Sequence, residues 1–303
     1  MKIKRVVGFG VIVLVLLAGM AYHYLIGSVN YVQLDEYSTV MVRKNVLNQI
    51  GANVFVYSSA GETLLVDTQL SPLAASTRSK VDALSVKPVN KVLITHWHPD
   101  HSGGISVFLI DAEVIAHRNV TRRLSTPQEG FGLTKPGSHH EFAARTPAGL
   151  PNKSIDGPLK LVIGTASATV VHYPEAHTDG DLVIFFHDSQ IAAIGDLIWP
   201  ASFPFIDIHN GGSVSGLETA LEGLIDASTP DYRFVPGHGA TLTVNDVTEY
   251  LQMIRQTRQW VESRVAEGQS LDQIIESGLP EKWDQWSSPL VPASVWVEMI
   301  YSS

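Results

Sequence analysis

Short apolar runs bounded by turn residues recur along the first two-thirds of the chain, and they form two groups. The runs of the first group cover residues 39–42, 53–57 and 62–66, with Ala60-Gly61 as a turn. Those of the second group cover residues 159–163, 169–172, 181–186 and 190–194. Their length and β-branched content are typical of strands. The pattern therefore predicts two sets of strands separated by a longer, less regular region.

Helical spacing of apolar residues is concentrated in the last third of the chain. Each helical stretch follows a capping pattern, in which Ser or Thr precedes an acidic or amide residue three positions later. These patterns predict helices that begin near Ser215, Thr243 and Ser270. Ser71-Pro72 and Gly103-Gly104 mark the starts of two earlier helices. Together with the strands, the helices predict a mixed α/β (α+β) fold.

The composition is that of one large globular domain. The chain has 303 residues, of which 45% are hydrophobic and 17% charged, so it can bury a sizeable core. The formal net charge of −9 argues against a nucleic-acid partner, because binding to a phosphate backbone needs a basic face. The absence of cysteine excludes a thiol nucleophile and a thiolate metal ligand.

Residues 1–30 differ in character from the rest of the chain. Three basic residues, at positions 2, 4 and 5, precede an uninterrupted apolar run over residues 6–20. This is the arrangement of a signal peptide or a membrane anchor, and both alternatives stay open because apolar residues continue to Ile26. In either case the remaining domain, residues 31–303, is expected on the periplasmic side of the cytoplasmic membrane.

The segment His96-Trp97-His98-Pro99-Asp100-His101 directly follows the apolar run of residues 92–94. It holds four possible metal ligands in six residues. A turn at the end of a buried strand can direct His96 and His98 to one side and Asp100 and His101 to the other. Each side then offers two nitrogen or oxygen donors suited to zinc, so one turn could begin two metal sites.

Three downstream residues could complete the two sites. Each follows a short apolar run and lies beside glycine or proline, as expected where a strand ends at a common rim. They are His177, Asp196 and His238. A lone His-x-His pair is more often incidental than a ligand pair, but a full ordered set is much harder to produce by chance.

This ordered set resembles the metallo-β-lactamase-fold superfamily. The motifs in order are Asp67, His96-x-His98-x-Asp100-His101, His177, Asp196 and His238. The resemblance implies a four-layer αββα sandwich that covers nearly everything beyond the N-terminal segment. It also implies that Asp67 supports the ligand loop by hydrogen bonds.

The resemblance further implies a division of the ligands between two zinc ions. His96, His98 and His177 would hold the first ion, and Asp100, His101 and His238 the second. Asp196 would bridge the two ions. A hydroxide between them would attack an ester, thioester, lactone or amide carbonyl of a small-molecule substrate, and Asp100 is expected to orient that hydroxide as well as bind metal. Zinc is preferred, with iron or manganese left open.

The subfamily is less sharply defined than the family. Asp196 looks more like the glyoxalase II and lactonase members than like β-lactamases with the same histidine pattern. The segments 177–181, 211–213 and 236–239 are also similar to exported zinc hydrolases associated with quinoprotein and sulfur-oxidation systems. Hydrolysis of β-lactams stays an alternative, as does a membrane-anchored binding protein without catalysis. A diiron flavoprotein is disfavoured, because those proteins typically carry glutamate at the position of His98.

The irregular region of residues 121–156 is expected to form a long loop that includes a short helix, at the mouth of the site. It contains four prolines and could select the substrate through Phe131, Leu133 and Phe142. The other histidines and the C-terminal tryptophans are expected to pack or to be solvated. Among them, His139-His140 and His209 lie on loops near the expected mouth, where surface positions are favoured over catalytic ones.

Overall fold

The structure is a computed structural model that describes residues 29–43, 51–85, 87–130 and 140–303. The strands are β1 (Val29–Gln33), β2 (Ser38–Arg43), β3 (Val54–Ser59), β4 (Glu62–Val66), β5 (Lys91–Ile94), β6 (Glu113–His117), β7 (Gln128–Gly130), β8 (His140–Phe142), β9 (Lys153–Ile155), β10 (Leu159–Ile163), β11 (Ala166–Tyr173), β12 (Asp181–Phe186), β13 (Ile191–Gly195), β14 (Arg233–Pro236) and β15 (Leu242–Thr243). The helices are α1 (Ala74–Leu84), α2 (Pro99–Ser102), α3 (Ile105–Phe108), α4 (Arg118–Leu124), α5 (Val214–Asp226), α6 (Val244–Ala266), α7 (Leu271–Ser277) and α8 (Ala293–Ser302). Short 3₁₀ helices cover Ser71–Leu73, Pro147–Gly149, Ile208–Asn210 and Glu281–Trp286.

The strands form two large sheets and a separate hairpin. The first sheet has the order β1-β2-β3-β4-β5-β6-β9, and the second has the order β10-β11-β12-β13-β14-β15, while β7 pairs with β8. Strands β4, β5, β6 and β9 run parallel to one another, and so do β13 and β14. Parallel neighbours end at the same edge of a sheet, so the residues that follow them are brought to one rim.

Alternate residues of the strands face different layers. On β12, Leu182, Ile184 and Phe186 contribute to a core between the two sheets, whereas Val183 and Phe185 pack against the C-terminal helices. The first sheet shows the same alternation, since its outer face packs against α1, α3 and α4. Both faces of the central strands are therefore buried, and the layers follow in the order α, β, β, α. The four-layer expectation is confirmed.

The capping patterns correctly predict the starts of two of the three helices expected in the last third of the chain. Thr243 and Ser270 each cap a helix with a reciprocal hydrogen-bonded pair to the residue three positions later. The third expectation is wrong by two residues, because Ser213 rather than Ser215 is the cap of α5 and accepts a hydrogen bond from Gly216 N. Only Ser215 fits the local pattern, with Glu218 three positions later, but the contact of Ser213 N with the Glu175 carbonyl places the start of the helix at the earlier serine.

The region of residues 121–156 is not a single loop, which corrects the expectation. Its first residues belong to α4, and β7 with β8 forms a hairpin. Its last part supplies β9, which adds a parallel edge strand to the first sheet. Phe131 and Leu133 lie outside the described residues. The strand β9 has only three residues of mixed burial, which is too short for periodicity to reveal.

The predicted N-terminal segment lies almost wholly outside the described residues. Strand β1 starts at Val29, so the last two of residues 1–30 already belong to the first sheet. No helix among the residues that the structure describes has the length and apolar character needed to span a membrane.

The two faces of β10 offer a test of the layered core. Ile163 is fully buried between the sheets, whereas its neighbour Val162 is 61% exposed. Ile163→Ala should lower the free energy of unfolding by about 3 kcal/mol, because a cavity is left in the core. Val162→Ala should change it by about 0.5 kcal/mol or less. Urea unfolding of both variants gives the comparison, and equal losses would contradict the assignment of the two faces.

Candidate metal centre

The possible ligands lie at one rim, just beyond the ends of strands from both sheets. Thr95 and His96 follow β5, Asp196 follows β13, and His238 comes two residues after β14. His177 lies in the turn that connects β11 to β12. The ends of strands thus position His96, Asp196 and His238, which limits how far these side chains can move.

The turn after β5 separates the two pairs of possible ligands as expected. His96 and His98 precede the one-turn helix α2, whereas Asp100 and His101 lie within it. Pro99 occupies the first turn of that helix, where the lack of a backbone N–H has no cost. The four side chains therefore divide into two groups, and each group is joined by ligands from the second sheet.

The first group contains His96, His98 and His177. His98 Nδ1 lies 3.1 Å from His96 Nε2 and 3.0 Å from His177 Nε2. All three side chains are buried. Three imidazole nitrogens at this separation surround a point that one metal ion could occupy.

The second group contains Asp100, His101 and His238. Asp100 Oδ2 lies 3.1 Å from His238 Nε2 and 3.5 Å from His101 Nε2. The Asp100 side chain is 15% exposed, so this group is the more accessible of the two. Its donors are one carboxylate and two imidazoles.

Asp196 lies between the two groups. Its Oδ2 is 3.9 Å from both His96 Nε2 and His177 Nε2, and 3.5 Å from His238 Nε2. Its Oδ1 is 3.3 Å from His101 Nε2. A single carboxylate therefore faces donors of both groups, which is the arrangement needed to join two ions.

Three buried polar atoms of this cluster have no hydrogen-bond partner among the described residues. They are His101 Nε2, Asp196 Oδ1 and His238 Nδ1. An unpaired buried carboxylate oxygen is costly, and a divalent cation coordinated by His101 Nε2 and Asp196 Oδ1 would remove that cost. The donor set and the unpaired atoms thus fit a metal centre.

Asp67 holds the ligand turn from behind. Its carboxylate accepts hydrogen bonds from Thr95 N and Thr95 Oγ1, each at 2.8 Å, and lies 2.7 Å from His101 Nδ1. The next residue, Thr68, donates to the His101 carbonyl through its amide and its hydroxyl. Asp67 has a backbone φ of 65°, a left-handed conformation that Asp tolerates better than most residues. The supporting role expected for Asp67 agrees with these contacts.

Asp207 is a second supporting carboxylate, and sequence reasoning missed it. Its Oδ2 lies 2.9 Å from His98 Nε2, so that His98 presents Nδ1 to the other ligands. Asn210 donates to both of its oxygens. His177 is oriented in a similar way, because its Nδ1 lies 2.7 Å from the Phe205 carbonyl. The sequence shows only that Asp207 lies between two isoleucines. Many ordinary loop positions have the same pattern, so it does not indicate a supporting role.

Glycines allow these elements to approach one another. A Cβ at Gly237 would overlap Asp196 Oδ1 and lie 2.6 Å from His101 Cε1. Gly103 and Gly104 lie where the ligand turn meets another segment of the chain. Added Cβ atoms there would collide with the backbone of the segment that follows β4, including Gln69 O and Thr68 O. These two glycines therefore let the ligand turn pack against the Asp67 segment.

The two groups of histidines differ in their electrostatics. Burial lowers the pKa of His96 well below its usual value, and the neighbouring imidazoles lower it further. Burial likewise lowers the pKa of His177 to about 4. Both side chains are neutral at pH 7, which is the form that binds a metal ion.

In the second group, carboxylates outweigh the effect of burial. Burial alone would lower the pKa of His238, but Asp196 and Asp100 raise it to about 9. The pKa of His101 is raised well above its usual value against the same effect of burial, because Asp196, Asp100 and Asp67 surround it. Both imidazoles are therefore doubly protonated and positively charged at pH 7, unless a metal ion displaces one of the protons.

A cavity of about 330 Å³ opens above both groups. His98, Asp100, Asp196 and His238 lie at its base. Its wall is apolar and is lined by Leu70, Pro99, Phe142, Trp199, Phe205 and Leu290. Phe142 comes from the region of residues 121–156, so that region does reach the mouth of the site.

The remaining histidines described by the structure lie elsewhere. The rings of His117 and His172 stack with centroids 3.6 Å apart, and His187 Nδ1 lies 2.9 Å from the Tyr232 hydroxyl. His209 is exposed and does not line the cavity. Of the C-terminal tryptophans, Trp296 is fully buried and packs with the helical layer, as expected. The side chains of His139 and His140 lie outside the described residues.

Comparison with known proteins gives a family match over most of the domain. The sequence model of the metallo-beta-lactamase superfamily matches residues 47–238. This interval contains Asp67 and all seven possible ligands.

Similar curated proteins include two from organisms as distant as a bacterium and a nematode. A hydroxyacylglutathione hydrolase of Hyphomonas neptunium is 28% identical over 140 residues, covering 46% of this chain and 44% of the relative. A beta-lactamase-like protein 2 homolog of Caenorhabditis elegans is 24% identical over 218 residues, covering 67% of this chain and 61% of the relative. The chain thus spans about half the length of these curated relatives.

Another relative is named as a thioesterase. An atrochrysone carboxyl ACP thioesterase of Claviceps purpurea is 24% identical over 150 residues, covering 49% of this chain and 40% of the relative.

Solved structures share the fold over most of their length. A metallo-beta-lactamase from Pontibacter korlensis has a TM-score of 0.61 at 14% identity and covers 75% of this chain and 99% of its own. One from Hirschia baltica has a TM-score of 0.56 at 16% identity, with 75% and 97% covered. At this level of identity the likeness concerns the fold.

The contacts of Asp67 and Asp196 predict different costs of removal. Asp67→Ala should lower the free energy of unfolding of the metal-free protein by about 3 kcal/mol, because it leaves Thr95 N buried without an acceptor and removes the carboxylate that lies 2.7 Å from His101 Nδ1. Asp196→Ala should cost less, since the Asp196 carboxylate lies 3.3 Å or more from the imidazole nitrogens around it, whereas Asp67 makes three contacts of 2.7 to 2.8 Å. Denaturant unfolding in the presence of a chelator measures both values. A larger loss for Asp196→Ala would reverse the two roles.

The pKa values predict that metal binding releases protons mainly from the second group. At pH 7, binding there should release about two protons from His101 and His238, whereas binding to the first group should release none from His96 and His177, whose pKa values are lowered. Affinity of the second group should therefore increase as pH rises toward about 9. Calorimetry of metal binding in buffers of different ionisation enthalpy gives the number of protons released, and it is measured for His238→Ala and for His98→Ala. Equal counts in the two variants would contradict this assignment.

Proposed function

The chain belongs to the metallo-beta-lactamase superfamily, and from this premise we propose that it is a hydrolase that uses two zinc ions. The observation that supports the proposal most strongly is the position of Asp196, whose carboxylate faces both groups of donors at the base of an open cavity. A carboxylate buried between five imidazoles has no evident role in packing. It does have one in holding two cations close together.

The proposal assigns each ligand by its group. His96, His98 and His177 hold the first ion, Asp100, His101 and His238 hold the second, and Asp196 contacts both. Zinc is proposed because imidazole and carboxylate donors in groups of three or four suit it. The protein has no thiolate to favour a softer metal.

Zinc ions held in this way would lower the pKa of a water molecule and polarise a substrate carbonyl. The chain supplies the geometry for that chemistry. Asp196 fixes the separation of the two groups, and the Asp67 and Asp207 hydrogen bonds fix the ring orientations of His101 and His98. Asp100 lines the cavity, and we propose that it also accepts a hydrogen bond from the attacking water and so orients it.

The reaction class is hydrolysis at a carbonyl carbon, in an ester, thioester, lactone or amide. Two of the curated relatives carry names of this class, a hydroxyacylglutathione hydrolase and a thioesterase. Each of them supports the reaction type only, because the chain spans less than half of either protein. The likeness to solved metallo-beta-lactamases concerns the fold and does not by itself favour β-lactams.

We further propose that the domain works on a small molecule outside the cytoplasm. The basic start and the apolar run of residues 6–20 have the composition of an export segment. The net charge of −9 is unsuited to a nucleic-acid substrate.

The metal content of purified protein tests the proposal. We expect close to two zinc ions per chain by elemental analysis, and ester hydrolysis that a chelator abolishes and added zinc restores. Asp196→Asn should reduce kcat by about 100-fold or more, because a neutral amide joins two cations poorly.

A matched control is His187→Gln, which changes a histidine at the opposite end of β12 from the site. It should leave metal content and activity unchanged. Protein that binds no metal after mild purification, or Asp196→Asn with full activity, would refute the proposal.

A further inference from the structure

We propose that the substrate is an uncharged ester with an apolar acyl group. This inference rests on the proposed hydrolase function and adds the class of substrate. It is carried by the chemistry of two cavities that meet beside His238.

The first cavity separates charge from apolar surface. All of its charged or ionisable lining residues belong to the metal centre, and its remaining wall is aliphatic or aromatic. No lysine or arginine lies among the described residues that line it. A carboxylate carried by the substrate at a distance from the reacting carbonyl would be desolvated there without a counter-ion, which is costly. An alkyl or aryl group would instead gain by burial.

The acyl group is assigned to this cavity because of its position. The cavity reaches His98 of the first group and Asp100 and His238 of the second. A carbonyl that receives water held between the two groups must therefore lie at its base. The part of the acyl group beyond that carbonyl then contacts Phe142, Phe205 and Leu70. The volume of about 330 Å³ is at the lower end for ligand pockets, which favours a small molecule.

A second cavity, of about 240 Å³, lies on the other side of Trp199. It shares Trp199, His238 and Leu290 with the first cavity. Its polar groups include the hydroxyls of Ser202 and Ser288, whose oxygens are 2.7 Å apart, and no Lys, Arg, Asp or Glu is among its described lining residues. Since this cavity reaches only one ligand of the metal centre, it is placed to take the leaving alcohol. Hydroxyls suit an uncharged, polar leaving group.

The nearest arginines serve other contacts. Arg123 and Arg145 line a separate cavity of about 160 Å³ that Pro99 and Phe142 divide from the first. Arg123 is paired with Asp179, and Arg145 donates to the carbonyl and hydroxyl of Ser102, beside the ligand turn. Neither lines the cavity above the metal centre. Glutathione thioesters and β-lactams carry carboxylates, so the inference predicts poor turnover of both.

Two esters that differ at one end test the inference. 4-Nitrophenyl pentanoate and the mono-4-nitrophenyl ester of glutaric acid have acyl chains of equal length, and only the second ends in a carboxylate. With the zinc-loaded full chain, kcat/KM for the uncharged ester should be about 100-fold higher. The two leaving groups are identical. The carboxylate of the glutarate ester assists its own spontaneous hydrolysis, so the rate without enzyme is measured for each ester and subtracted.

A second experiment introduces a positive charge into the wall of the first cavity. Leu290 is 51% exposed, so Leu290→Arg should fold and bind metal as the parent does. It should raise kcat/KM for the glutarate ester by about 10-fold and lower it for the pentanoate ester. Leu290→Gln is the matched control, because it is polar but uncharged, and it should not improve turnover of the glutarate ester.

The outcomes separate the two proposals. Protein that binds no zinc when zinc is supplied, and hydrolyses neither ester, would refute the proposed function. Zinc-loaded protein that hydrolyses neither ester would refute the substrate inference. Zinc-loaded protein that hydrolyses the glutarate ester as well as, or better than, the pentanoate ester would refute the substrate inference and leave the hydrolase intact. Equal effects of Leu290→Arg and Leu290→Gln on the glutarate ester would also overturn it, because charge in the wall would then be irrelevant.

Discussion

The carboxylate of Asp196 lies buried between two groups of imidazoles, and much of the surrounding structure follows from keeping it there. Residue 237 must be glycine, because a Cβ there would overlap Asp196 Oδ1. His101 and His238 are held as protonated partners by the nearby carboxylates, as the raised pKa values show. Charges this close in a buried site need a rigid frame, since a small displacement would leave one of them unpaired.

That frame comes from the two sheets. The apolar core between them holds β5 and β13 in fixed relation, and His96 and Asp196 follow directly beyond the ends of these strands. Supporting hydrogen bonds then come from both sides of the rim. Asp67 braces the ligand turn of the first sheet, while Asp207 and the Phe205 carbonyl orient His98 and His177 from the segment after β13. Ring orientation is therefore set before any ion binds.

The cavity wall depends on a different part of the chain from the ligands. Leu70, Phe142, Phe205 and Leu290 reach one cavity although they are far apart in sequence, and none of them contributes a ligand atom. Substitutions in this wall can change which substrate fits while the metal centre stays unchanged. The proposed reaction type and the proposed substrate class therefore rest on separate sets of residues.

The sequence by itself determined strands β2 to β5 and β10 to β13, most helix starts, the possible ligands and their order, because each depends on local periodicity or on spacing within a short motif. The tertiary structure alone decided features that join distant segments: Asp207 beneath His98, the cap at Ser213, the packing role of Gly103 and Gly104, and the apolar wall. A carboxylate between two isoleucines or an exposed leucine has no local signal that reveals its neighbours. Only the folding of both sheets onto one core brings these residues within contact distance of the metal centre.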